Sequence, residues 1–142
     1  MIDCANGVGA PAAKILSRYL QNSLPIELEN TAFDIPGALN NACGADFVKV
    51  NQKLPPSLVN VLQPSQRTSS LDADAVRLIY FYLDERLQFH MLDGDKITTL
   101  VVSFIVDLVR AVGLEEQLRV VSYRQSTSME VRPNTFPLYV RV

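Results

Sequence analysis

The sequence predicts an α/β layered domain with a short stub attached, and three observations carry that expectation. Strand-like and helix-like segments alternate along the chain, and two stretches repeat apolar residues at helical spacing. The branched and aromatic run "RLIYFYLD" is followed at once by a turn and a second apolar run, as in a β-hairpin. The predicted order is strand, helix, strand, hairpin, helix, strand. At 142 residues the chain is long enough for one domain with a real core, or for one domain plus a piece of another.

"MIDCA" reads as a short strand that ends at "NGVGAP", where two glycines mark a sharp turn and Pro11 suits the first turn of a helix. Ala12, Ile15, Leu16, Tyr19 and Leu20 then recur at helical spacing and define one amphipathic helix. "PIELEN" alternates apolar and acidic residues, as a strand with one wet face does. "NTAFDIPGALNNACGAD" is rich in turn formers and reads mostly as loop; "NQKLPPSLVNVLQPSQRTS", with three prolines and little periodicity, reads as a second loop.

The hairpin pairs "RLIYFYLD" with "LQFHML" across a turn at "DER". "DGDK" closes the return strand and opens a helix, with Asp93 or Asp95 as its N-cap. Ile97, Leu100, Val101, Phe104, Ile105, Leu108, Val109 and Val112 form a broad stripe, which Val102 and Val106 widen, so this helix is expected to be covered on most sides. Gly113 is its stop. "LRVVSY" is one more strand, and "RQSTSMEVRPNTFPLYVRV" beyond it has no clear helix. There is no internal repeat and no low-complexity tract.

Composition bounds the function. Hydrophobic residues make up 48% and charged residues 20%, a globular balance, and the net charge of −2 lacks the basic excess of a nucleic-acid or anionic-membrane surface. The N-terminus has no basic region ahead of an apolar stretch, so it does not read as a secretory signal. "ITTLVVSFIVDLVRAVG" contains Asp107 and Arg110 and falls short of the ~20 apolar residues of a membrane span. Cys4 and Cys43 lack metal-type spacing and read as buried free thiols in a reducing compartment. The expected setting is cytoplasmic, with neither nucleic acid nor membrane as a partner.

One stretch stands out for chemistry. In "SSLDADAVRLIYFY", Asp72 and Asp74 sit one residue apart ahead of a strand, and the next alternate position holds Val76. A D-x-D-x-D loop aims three carboxylates at one hard cation when the backbone curls, and here two are present. By spacing alone, two such acids are more often a solvated turn. The lone His90, within the apolar return strand, reads as structural rather than as a ligand or base. "NGVG" has the form of a phosphate-cradling turn at a helix N-terminus, although such turns mostly just connect strand to helix. No serine or cysteine has a nearby base that would make it a nucleophile.

"IDCANGVGAP", "NNACGADFVKVNQKLPP", "SSLDADAVRLIYFY" and "FHMLDGDKITTLVVSF" together, in this order, resemble the second domain of phosphoacetylglucosamine mutases, of the α-D-phosphohexomutase superfamily. The resemblance runs from residue 2 to about residue 123. It implies a three-layer α/β/α sandwich with a mixed sheet, residues 1–116 forming the second, metal-loop domain and residues 117–142 a truncated, divergent start of the third. The implied reaction interconverts N-acetylglucosamine 6-phosphate and 1-phosphate on the route to UDP-N-acetylglucosamine. A phosphoserine of the first domain serves as phosphoryl donor, and magnesium is held by D-G-D-A-D in the second.

Under this resemblance Asp72 and Asp74 fall on the first two metal aspartates and Arg77 on the arginine that follows them, a catalytic position. Val76 stands where the third aspartate would be, so magnesium binding is expected to be weak or lost. Ala73 stands in place of the loop glycine and is expected to restrict how tightly the loop curls. The serine, sugar and phosphate loops belong to other domains, so this chain alone is expected to be inactive. A phosphosugar is its partner only within a full-length enzyme, and exposed domain-contact faces favour self-association. The alternative is a non-catalytic, degenerate paralogue acting as an interaction module.

Overall fold

The computed structural model describes residues 1–114 together with the backbone of Val120–Ser122 and Leu138–Val140. The chain divides into two units, Met1–Gly94 and Asp95–Val142, each with its own sheet. The first contains strands β1 (Ile2–Asp3), β2 (Leu28–Glu29), β3 (Thr68–Leu71), β4 (Leu78–Leu83) and β5 (Phe89–Leu92), with helices α1 (Gly9–Leu20) and α2 (Gly44–Asn51) and a 3-10 turn at Pro56–Leu58. Helix α3 (Gly94–Ala111) begins at the junction, and β6 (Val120–Ser122) pairs antiparallel with β7 (Leu138–Val140). Of the expected stub at 117–142, the rest lies outside the described residues.

The five strands run in the order β2-β1-β3-β4-β5. β1 is parallel to both of its neighbours, and β3, β4 and β5 form an antiparallel meander, so the sheet is mixed. Alternation along β1 separates two cores. Met1 packs with Ala45 and Val48 of α2, Leu58, Leu62, Ile79 and Phe81, whereas Ile2 and Cys4 pack with Ala10 and Ala13 of α1 and with Leu28. Helices α1 and α2 therefore cover opposite faces. That is what right-handed crossovers require when the chain leaves β1 in one direction and returns past it in the other.

The expected strands at "MIDCA" and "PIELEN", the hairpin, both long helices and the strand within "LRVVSY" are all present. Gly113 adopts φ +68 and its amide donates to the Arg110 carbonyl, which ends α3 as expected. Other expectations need correction. The stripe Ile15, Leu16 and Tyr19 on α1 faces outward, and Gly9, Ala10 and Ala13 are buried instead. Only small side chains fit where α1 closes onto β1 and β2. Helix α3 is not covered on most sides: Val106 and Val109 are buried, while Leu100, Val101, Phe104, Leu108 and Val112 are exposed. Among the described residues no helix is long and apolar enough to cross a membrane.

Two elements that were not expected, α2 and β3, overlap the ends of stretches read as loop. β3 turns Thr68 and Ser70 into the core, so it shows no hydrophobic alternation. α2 has no capping side chain at Cys43; its first amide, that of Gly44, donates to Asp3 Oδ2 at 2.8 Å, a cap delivered from β1. Asp3 is fully buried and its carboxylate accepts three more hydrogen bonds: from the Ala5 amide (3.0 Å), Asn30 Nδ2 (2.8 Å) and Ser70 Oγ (2.6 Å). One carboxylate thus joins β1, the end of β2, the start of α2 and β3. Asp3→Ala leaves these buried donors without an acceptor and is expected to lower the unfolding free energy in urea by about 3 kcal/mol or more; a loss below about 1 kcal/mol contradicts this role.

Candidate metal loop at the switch point of the sheet

From β1 the chain crosses α1 to β2 on one side, and β3 lies on the other, so the order of strands reverses at β1. In open α/β sheets the crevice beyond the carboxyl ends of strands at such a point is where ligands bind. The carboxyl end of β1 leads into "CANGVG", and that of β3 into the loop Asp72–Arg77. The two expected metal aspartates therefore emerge at the switch point.

The loop closes on its own groups. The Asp72 amide donates to the Arg77 carbonyl at 3.2 Å, the Ala75 amide to the Asp72 carbonyl at 3.1 Å, and the Val76 amide to Asp74 Oδ1 at 3.5 Å. The left-handed residue is Ala75, at φ +58, rather than Ala73. The expected penalty for losing glycine at position 73 is therefore not incurred, since nothing at Ala73 calls for a positive φ.

The glycines of "NGVG" serve this loop by close approach. The Val8 amide donates to the Ala73 carbonyl at 3.0 Å, and a Cβ on Gly7 would lie 2.3 Å from that oxygen. Gly44, at φ +85, is similarly tight: a Cβ there would lie 2.7 Å from the Ala5 Cβ. The turn that resembled a phosphate cradle thus commits its Val8 amide to the acidic loop. Ala5, Asn6, Asn40 and Ala42 also hold positive φ angles, at 56, 51, 54 and 53°, around the end of β1 and the start of α2. Backbone strain of this kind collects at functional sites and persists where the surrounding bonds over-determine it.

Arg77 organises the charges. Its amide donates to Asp72 Oδ1 at 3.0 Å and its Nε to Asp72 Oδ2 at 2.6 Å, while its two terminal nitrogens grip Asp46 of α2 at 2.8 and 3.0 Å. Asp72 is buried, whereas Arg77 and Asp46 are about half exposed. Burial would push the Asp72 carboxyl up, but the hydrogen bonds from the Arg77 backbone and guanidinium, together with its charge, hold it below the usual carboxylate range. The bonds to Asp72 and then to Asp46 raise Arg77 in turn. Asp46 gave no signal in the sequence beyond "CGAD", because α2 itself was not expected.

These residues do not fit a magnesium site of three carboxylates. Both Asp72 oxygens are engaged by Arg77; Asp74 is exposed and accepts from its own turn; Val76, 80% exposed, brings no oxygen. Among the described residues no group of three or more His, Cys, Asp and Glu is gathered for a metal. His90 sits away from the loop, near the far end of β4, where Nε2 meets Asp84 Oδ2 at 3.0 Å and the ring stacks on Tyr82 at 5.0 Å. That placement agrees with the structural reading of His90. Both cysteines are buried free thiols, pushed up to about 11 by burial and then by the Asp3 charge.

Comparisons with known proteins converge on one family. A family model described as phosphoacetylglucosamine mutase AMG1, domain II, matches residues 1–79. Phosphoacetylglucosamine mutase 1 of Schizosaccharomyces pombe is 43% identical over 132 residues, covering 92% of this chain and 26% of that protein. A crystal structure of the Aspergillus fumigatus N-acetylphosphoglucosamine mutase in complex with GlcNAc-6P and magnesium superposes with a TM-score of 0.74 at 45% identity, covering 80% of this chain and 21% of that one. An N-acetylglucosamine-phosphate mutase of the α-D-phosphohexomutase superfamily, in its substrate complex, gives 0.76 at 38%, covering 83% and 22%. The chain thus spans about a quarter of the length of the relatives it matches.

The Asp72–Arg77 pair sets a pH dependence. A carboxyl held below its unfolded value of 3.8 contributes stability that is complete above that value and is lost as pH falls through the lower, folded one. Lowering the pH below 4 is therefore expected to cost the native chain more stability than it costs Arg77→Gln, as followed by thermal melts. Equal acid sensitivity of the two contradicts the pairing.

Proposed function

Since the chain belongs to the phosphoacetylglucosamine mutase family and shares the phosphohexomutase-type α/β fold of its structural neighbours, we propose that it works as the metal-loop domain of a longer mutase. The polypeptide would interconvert N-acetylglucosamine 6-phosphate and 1-phosphate for UDP-N-acetylglucosamine synthesis in the cytoplasm, and this segment alone is inactive. Residues 1–116 are the second domain and 117–142 the divergent start of the third. A phosphosugar is met only in that full-length setting.

The observation that carries this reading is the delivery of Asp72, Asp74 and Arg77 to the switch point by β3 and its loop. Asp72 and Asp74 take the first two metal positions, and a cation there is bound weakly or not at all because Val76 brings no oxygen. Arg77 takes the catalytic arginine position. Its guanidinium has five N–H donors, of which three serve Asp72 and Asp46, and the half-exposed remainder suits phosphate oxygens. Val76 also favours a second reading, a degenerate paralogue that keeps the fold as an interaction module.

A chimera separates the two. Replacing the matching segment of the S. pombe mutase 1 with residues 2–116 of this chain is expected to give a folded enzyme whose turnover falls by ~100-fold or more and recovers in part with Val76→Asp. A folded chimera that stays inactive with Val76→Asp, yet still associates with its neighbouring domains, supports the interaction module and contradicts the mutase reading.

Apolar residues left outward on α1 and on the loop 31–39, among them Ile15, Tyr19, Phe33 and Ile35, suit contacts with further domains. The isolated chain is expected to self-associate as its concentration rises. Sedimentation of a clean monomer from micromolar to millimolar chain contradicts this.

A further inference from the structure

The acidic loop and the family's three-aspartate pattern disagree, and Arg77 gives the disagreement its physical sense. We propose that the Arg77 guanidinium, positioned by Asp46 of α2, is the built-in counter-ion of this loop, which therefore keeps its form with no divalent cation. The inference rests on the assignment of Asp72–Arg77 as the metal-loop counterpart and adds what pairs with its buried carboxylate in this chain.

The geometry is that of a cation held in place. Arg77 closes two bonds on Asp72, one from its amide at 3.0 Å and one from Nε at 2.6 Å, and so engages both oxygens of a buried carboxylate. A metal ion on Asp72 would have to displace the guanidinium or share an oxygen with it. The guanidinium is itself anchored by the two-pronged Asp46 contact at 2.8 and 3.0 Å, a geometry that fixes orientation as well as charge. Asp46 thus acts as a positioning residue through Arg77. It does so from the first turn of α2, whose Gly44 amide is pinned by Asp3, so the counter-ion is tied to the same scaffold as the loop.

Position 76 completes the arrangement. A third loop aspartate there would make the charge around the single guanidinium, already outnumbered by Asp72, Asp74 and Asp46, still more negative and would favour a divalent cation. Val76 withholds both that charge and that oxygen. Being 80% exposed, it can be exchanged for aspartate without disturbing the core.

The test uses the full 142-residue chain with manganese as the probe, followed by loss of the free-ion electron paramagnetic resonance signal, together with melting temperatures with and without magnesium. The native chain is expected to show no saturable manganese uptake up to millimolar concentration and no magnesium-dependent shift in melting temperature. Val76→Asp is expected to bind manganese at least ~10-fold more tightly than the native chain. Arg77→Gln is expected to melt lower than the native chain and to regain part of the difference when millimolar magnesium is added. Sub-millimolar uptake by the native chain, an Arg77→Gln variant that melts like the native chain, or a folded Val76→Asp variant that still ignores manganese would each overturn the proposal. None of these readouts depends on mutase activity, so an inactive chimera leaves them intact, and a failure here leaves the domain assignment standing.

Discussion

The buried carboxylate of Asp3 is the constraint on which the arrangement depends. A charge with no solvent access is costly unless every lone pair it presents is matched, and Asp3 is matched by Ala5, Asn30, Gly44 and Ser70. Hydrogen bonds to a charged group contribute roughly 1.5–3 kcal/mol each, and much of that offsets desolvation, so the net effect is as much positional as energetic. It fixes β3 beside β1 and sets the start of α2 against both. Asp72 and Asp46, the two carboxylates that grip Arg77, lie just beyond those fixed points, at the end of β3 and in the first turn of α2.

Close backbone approach transmits the same constraint to the loop. Gly7 and Gly44 have no room for a Cβ, and each stands between a strand end and a neighbouring backbone. The left-handed angles at Ala5, Asn6, Asn40 and Ala42 belong to the same neighbourhood. Each costs on the order of 1 kcal/mol and persists where hydrogen bonds such as those from the Asn40 amide to the Ala5 carbonyl and from the Ala32 amide to Asn6 Oδ1 hold the chain. These close approaches and bonds hold the backbone in place at the switch point.

What the sequence made legible follows from how local each signal is. The hairpin was readable because "RLIYFYLD" and "LQFHML" carry branched and aromatic residues on either side of a short turn. The periodicity of α1 located the helix but named the wrong face, since the small residues Gly9, Ala10 and Ala13 are buried by fit rather than by hydrophobicity. β3 escaped because Thr68 and Ser70 fill its core positions, and α2 because its cap is supplied by Asp3, forty-one residues earlier. Asp72, Asp74 and Arg77 were visible as a motif. Asp46, which completes the charge arrangement, became visible only once α2 was in place.

Arg77, in place of a divalent cation, is the proposed partner of Asp72. The most direct measurement is the NMR signal of the Arg77 side-chain Nε–H during a magnesium titration of the labelled chain. A slowly exchanging signal, shifted by its bond to Asp72, is expected to stay in place to millimolar magnesium. A saturable displacement of that signal, with Arg77 released as the ion takes Asp72, would contradict it.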